Sequence, residues 1–139
     1  MLQKVHLTIW DFAGGSEYYD VRTELYCDSD AIIFVFDLSS LNTFDNIQNW
    51  LEEINLHLNS SKNNNKTKKT VTTEYYLVGT KADIASHKKV DDKTEEYKKY
   101  CINNHINGLY YEISSTNPQQ IFQLFNDIVT KTLINRKLL

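Results

Sequence analysis

The chain has 139 residues, 41% of them hydrophobic, and a formal net charge of −3. That suits one soluble domain and gives no electrostatic basis for nucleic-acid binding. The longest fully apolar run, 31–36, is far short of a membrane span, no secretory signal precedes it, and Cys27, Cys101 and the scattered His6, His57, His87 and His105 form neither a disulfide framework nor a zinc spacing, so a reduced, cytoplasmic setting is expected.

Val5, Leu7 and Ile9 alternate with Lys4, His6 and Thr8, the period of a half-buried strand. This strand is expected to end in Trp10-Asp11-Phe12-Ala13-Gly14-Gly15. A carboxylate at a strand's C-terminal edge can face a metal, and glycines let backbone amides come close to an anion. Residues 17–27 are expected to form a short helix with Tyr18, Val21 and Leu25 on one face. The continuous apolar run from Ala31 to Asp37 suits a strand buried on both faces of a parallel sheet. Phe44, Ile47, Leu51, Ile54 and Leu58 follow 3-4-3-4 spacing, a helix with Asn42 as its N-cap.

Residues 59–73 are polar, rich in Asn, Lys, Ser and Thr, and read as an insertion loop within a single domain spanning 1–139. Their basic charge is expected to be solvated rather than to mark a partner site. A third strand, 75–79, leads into Thr80-Lys81-Ala82-Asp83. A helix near 92–104 places Tyr97, Tyr100 and Cys101 together, and a fourth strand, 109–113, enters Ser114-Ser115-Thr116. Asn117-Pro118 opens the last helix as N-cap and first-turn proline, with Ile121, Phe122, Phe125, Ile128, Val129 and Thr132 on its packing face.

Asp11-Phe12-Ala13-Gly14, Thr80-Lys81-Ala82-Asp83 and Ser114-Ser115-Thr116 each follow an expected strand. In open α/β sheets, ligands bind outside the carboxyl ends of the strands. A lone aspartate after a strand is usually a turn or cap residue; the order and shared placement of three motifs carry the signal. Together they resemble a Rab-like small GTPase of the Ras superfamily. Trp10-Asp11-Phe12-Ala13-Gly14 resembles WDTAG, and Asp37, Ser39, Phe44 and Trp50 resemble the following Rab segment. Val78-Gly79-Thr80-Lys81-Ala82-Asp83 is similar to [NT]KxD, and Glu112-Ile113-Ser114-Ser115-Thr116 to ETSAK. The stretch from Tyr18 to Tyr26 is most similar to the RJL subgroup, Rab-like proteins that often carry a J-domain; none is present in this sequence.

The resemblance implies an α/β, doubly wound, mainly parallel sheet and a switch binding GTP or GDP with Mg²⁺. Asp11 would face the metal, and the Gly14 amide would sense the γ-phosphate. Asp83 would accept the two guanine donors and Lys81 would lie along the base. Thr80 stands where asparagine is usual. Amides at Ser114 and Ser115 would meet the guanine oxygen, and Thr116 replaces the usual lysine on the other face. Exchange factors, GTPase-activating proteins and effectors are the implied partners.

Gly15 stands where the family places the water-orienting glutamine, so no catalytic residue is assigned. None of the four glycines opens G-x-x-x-x-G-K-[ST], and no switch I threonine is found. By resemblance, then, the chain is N-terminally truncated, with about four strands and four helices, and is expected to bind nucleotide weakly or not at all. The family's first strand would lie between residues 4–10 and 31–37, and its loss would leave a slot roughly 9–10 Å wide. Such a fragment must repack, pair with another chain through the open sheet, or stay marginal. A C-terminal prenylation signal is also lacking, so membrane attachment is expected only through partners. A non-catalytic interaction module on a degenerate GTPase scaffold is the rival reading.

Overall fold

The computed structural model describes residues 4–63, 73–87, 93–106 and 110–138. A 3₁₀ turn (Ser16–Tyr18) leads into α1 (Tyr19–Tyr26), followed by β1 (Ala31–Asp37), α2 (Leu41–Asp45) and α3 (Ile47–Asn63). Then come β2 (Glu74–Thr80), α4 (Ala82–His87), α5 (Thr94–Asn103), β3 (Tyr110–Glu112) and α6 (Pro118–Asn135). The strands form one parallel sheet in the order β1-β2-β3, with Phe34 opposite Leu77 and Leu77 opposite Tyr110.

Alternation along the strands feeds two cores, one on each face of the sheet. Phe34, Phe36 and Leu77 pack with Tyr26, Ile47, Leu51, Ile54, Tyr97 and Cys101. Tyr76, Val78 and Ile113 pack with Leu124 and Ile128 of α6. Helices thus cover both faces, as a doubly wound sheet requires. Gly79 has a packing reason: a Cβ there would come 2.7 Å from Leu38 Cδ2.

Several local expectations change. Residues 4–10 have no regular structure and are exposed, although their alternation is real. A strand needs a hydrogen-bonded neighbour, and the open edge of β1 lies across a groove from them. That groove, about 950 Å³, has Val5 to Phe12 on one wall, β1 on the other, and Phe125, Val129 and Leu133 of α6 among its lining. Val35, on β1, is therefore 56% exposed rather than buried.

In α1 the buried residues are Arg22, Thr23 and Tyr26, while Val21 is 62% exposed. The expected helix over 42–58 is divided at Asn46; Asn42 lies inside α2, and Ser40 precedes it. The backbone of α3 runs on to Asn63, into the polar tract, whose residues 64–72 lie outside those described. On α6, Asn117 caps as expected, its side chain accepting from the amides of Gln119 (3.1 Å) and Gln120 (3.3 Å). Phe122, however, points outward, and Leu124 takes the buried position.

Candidate functional site

The C-terminal ends of the three parallel strands are laced together by backbone bonds. Leu38 N–H donates to Thr80 O (3.0 Å), Ala82 N–H to Ile113 O (3.2 Å), and Ile113 N–H to Gly79 O (2.8 Å). Segments near residues 38, 80 and 113, far apart in sequence, thereby meet at one edge of the sheet. Two of the three expected motifs, Thr80–Asp83 and Ser114–Thr116, are neighbours there.

Thr80 uses its hydroxyl structurally, donating to Phe36 O at 2.9 Å and fastening β2 to β1. Lys81 follows with φ of 59°, in the left-handed region, and its Nζ donates to Asp37 Oδ2 at 2.7 Å. Asp37 Oδ1 also accepts from the Ser39 amide (2.8 Å) and hydroxyl (2.7 Å). The Lys81 bond, then those from Ser39, pull the Asp37 carboxyl down to about 2. Sequence reading had assigned Asp37 no such role. Asp83 is exposed in the first turn of α4.

Ser114 is buried, and its amide donates to Gln120 Oε1 at 2.8 Å. The Thr116 amide turns back to Ser114 Oγ (3.2 Å), whose partner is also Thr116 Oγ1 (2.7 Å). The loop is therefore pre-shaped by its own side chains, and the Ser114 amide is committed to Gln120. Ser115 and Thr116 remain exposed.

Asp11 does not join these loops directly. It is exposed and lines the groove that Thr80 and Ile113 also line. Among the described residues, no group of three His, Cys, Asp or Glu side chains could hold a metal ion. The loop after Asp11 is anchored elsewhere. Phe12 packs edge-on against Tyr26, ring centroids 5.7 Å apart, and Gly14 lies over Trp50, where an added Cβ would meet Cζ2 at 3.6 Å.

The anchor that sequence reading missed is Arg22, only 5% exposed. Its Nε and Nη2 grip Glu53 Oε1 (2.8 Å) and Oε2 (2.9 Å), while Nη1 donates to the carbonyls of Gly15 (2.6 Å) and Ala13 (3.4 Å). Tyr26 adds a bond to Glu53 Oε1 at 2.7 Å. The guanidinium also sits 5.2 Å from the Trp50 ring centre and 5.4 Å from that of Tyr19. The bond to Glu53 raises the Arg22 pKa further, and the reciprocal bond holds the Glu53 carboxyl below its usual range. Burial, then the Glu53 contact, pushes the Tyr26 hydroxyl up. The 3–4 spacing of Tyr19, Arg22 and Tyr26 was the available signal.

A family model described as the Ras family matches residues 2–134. The chain belongs to the Ras family. The relatives it matches include Ras-related Rab proteins, and it is a Rab-like member of the Ras superfamily of small GTPases. It is 32% identical over 138 residues to Ras-related protein Rab-8B of Pongo abelii, covering 98% of this chain and 59% of that protein. It is 27% identical over 135 residues to Ras-related protein RABG1 of Arabidopsis thaliana, covering 97% and 62% respectively. Ras-related protein RabJ of Dictyostelium discoideum is 28% identical over 135 residues, 96% of this chain and 46% of its own. The Ras-family chain thus spans under two thirds of the length of these relatives.

Proposed function

We propose that this chain is the base-reading portion of a Rab-like GTP/GDP switch acting in membrane traffic or signalling. The observation that carries the reading is the bond from Ala82 N–H to Ile113 O, which sets Thr80–Asp83 beside Ser114–Thr116 at the strand ends. In this reading Asp83 accepts the paired donors of guanine, and adenine, lacking them, would leave the carboxylate unpaired. The Lys81 stem flanks the base with Thr116 opposite, and Ser115 is the loop amide best suited to the guanine oxygen, because that of Ser114 is committed to Gln120. Thr80 supports the loop from beneath.

The phosphate end fits less completely. Asp11 and the Gly14 amide are the groups this chain offers toward Mg²⁺ and the γ-phosphate; a hard cation there would keep most of its ligands as water and phosphate oxygen. The phosphate-binding loop and first switch segment would be supplied by sequence outside these 139 residues, and the groove beside β1 is the space such a strand would take. Without them, charge-assisted phosphate bonds of roughly 1.5–3 kcal/mol each are lost, so these residues alone bind nucleotide weakly or not at all. Gly15 offers no side chain to orient water, which makes intrinsic hydrolysis slow.

The stretch Tyr18–Tyr26 aligns the protein with the RJL subgroup. Exchange factors, GTPase-activating proteins and effectors are its partners, and contact with membranes is peripheral. Among the described residues no helix is long and apolar enough to cross one.

A second reading, a non-catalytic interaction module on this scaffold, is favoured by Gly15 and by the absence of G-x-x-x-x-G-K-[ST] from these residues. Titrating fluorescent GDP into the full-length protein decides between them. The switch reading expects Mg²⁺-dependent binding, lost in Asp83→Ala and not displaced by ADP. A full-length protein that carries a phosphate-binding loop yet shows no binding would establish the module instead.

A further inference from the structure

Arg22 divides its guanidinium between α3 and the backbone of the loop at Ala13–Gly15. One edge forms a fork with both oxygens of Glu53 on α3, and the remaining nitrogen reaches the carbonyls of Ala13 and Gly15. Nothing about a helix–helix ion pair requires that second set of bonds. The Glu53 fork, the Tyr26 hydroxyl and the Trp50 ring together hold the guanidinium in one orientation. A buried cation paired on one side has nitrogen donors left over, and the loop carbonyls satisfy them.

We propose that Arg22 is a positioning residue for the 11–15 loop, holding it in one arrangement and tying that arrangement to α3 through Glu53. Movement of the loop toward an anion would then require Nη1 to release Gly15 O, while the fork to Glu53 stays closed. Glu53 and Trp50 on α3 would register that release. The tether is independent of ligand; only its use as a switch rests on the nucleotide-site reading above.

The test is ¹⁵N relaxation on this chain without nucleotide, comparing the wild type with Arg22→Met and Arg22→Lys. The rigid backbone limit is an order parameter of about 0.85, and flexible segments fall below about 0.6. The wild type is expected near the rigid limit at Gly14 and Gly15. Both variants are expected to fall to the flexible range there, with β1 and β2 amides unchanged. Lysine keeps a charge for Glu53 but lacks the fork, so it retains the fold if methionine does not.

A purely structural arginine would lower stability in denaturant while leaving the order parameters of the folded loop as they were; that result overturns the proposal. So does a wild-type loop already in the flexible range, or rigidity retained in Arg22→Lys. Because no nucleotide is present, failure here is distinct from failure of GDP binding by the full-length protein.

Discussion

At the scale of single residues, Lys81 concentrates conflicting demands. Its φ of 59° lies where a side chain costs roughly 1–2 kcal/mol, and the bond to Asp37 is among the contacts that offset this. Lys81 is half exposed, so the ion pair is screened and its own contribution to stability is small. The measurable effect lies on Asp37. Its folded pKa, about 2, is below the unfolded value near 3.8. Asp37 therefore contributes stability above the unfolded value, and that contribution is lost as pH falls through the folded one. Lys81→Ala is expected to move the Asp37 carboxyl up toward 3.8, read by carboxyl-carbon NMR titration, and to shrink this contribution on the acid side. The two Ser39 bonds persist, so the shift is partial; a wholly unmoved carboxyl would contradict the assignment.

Among the elements, α6 shows how far local chemistry alone reaches. Asn117 caps it through two amides and Pro118 occupies the first turn, both readable from the order of the letters. Asn117→Ala is expected to cost about 1 kcal/mol, within a range of about 0.5–2, in equilibrium denaturation. The positions of the parallel strands and of α5 were equally legible, although Val35 of β1, expected to be buried, is exposed. The segment 4–10 and the buried face of α1 were not. Alternation names a face but not a neighbour, and Val5, Leu7 and Ile9 lack the hydrogen-bonded partner that would make their segment a strand. In α1, hydropathy favoured Val21, yet Arg22 is buried because Glu53, thirty-one positions away, neutralises it. No local pattern contains that partner. For the candidate site, the motifs located the loops, whereas the commitment of the Ser114 amide to Gln120 required coordinates.

For the molecule as a whole, the open edge of β1 is the feature whose effect in solution can be measured. Among the described residues β1 pairs with β2 alone, so its other edge faces an apolar groove with no strand against it, and Val35 is exposed beside it. Such edges invite pairing with a second chain. Sedimentation velocity is expected to show concentration-dependent association, reduced by Val35→Lys, because a charge on an exposed edge position opposes strand addition. A chain that stays monomeric at all concentrations would count against this expectation.

The lacing of strand ends also bears on how the chain reaches its fold. Leu38 bonds to Thr80 and Ala82 to Ile113, so each link closes a long stretch of chain before any parallel pairing rewards it. Closure entropy of this kind slows folding, and non-local sheets form late. The edge that carries Thr80–Asp83 and Ser114–Thr116 is therefore complete only once β3 has joined the sheet. A nascent chain released before Ile113 would keep the β1–β2 bonds around Thr80 and Lys81 but would lack the Ala82 link that brings Ser114–Thr116 beside them.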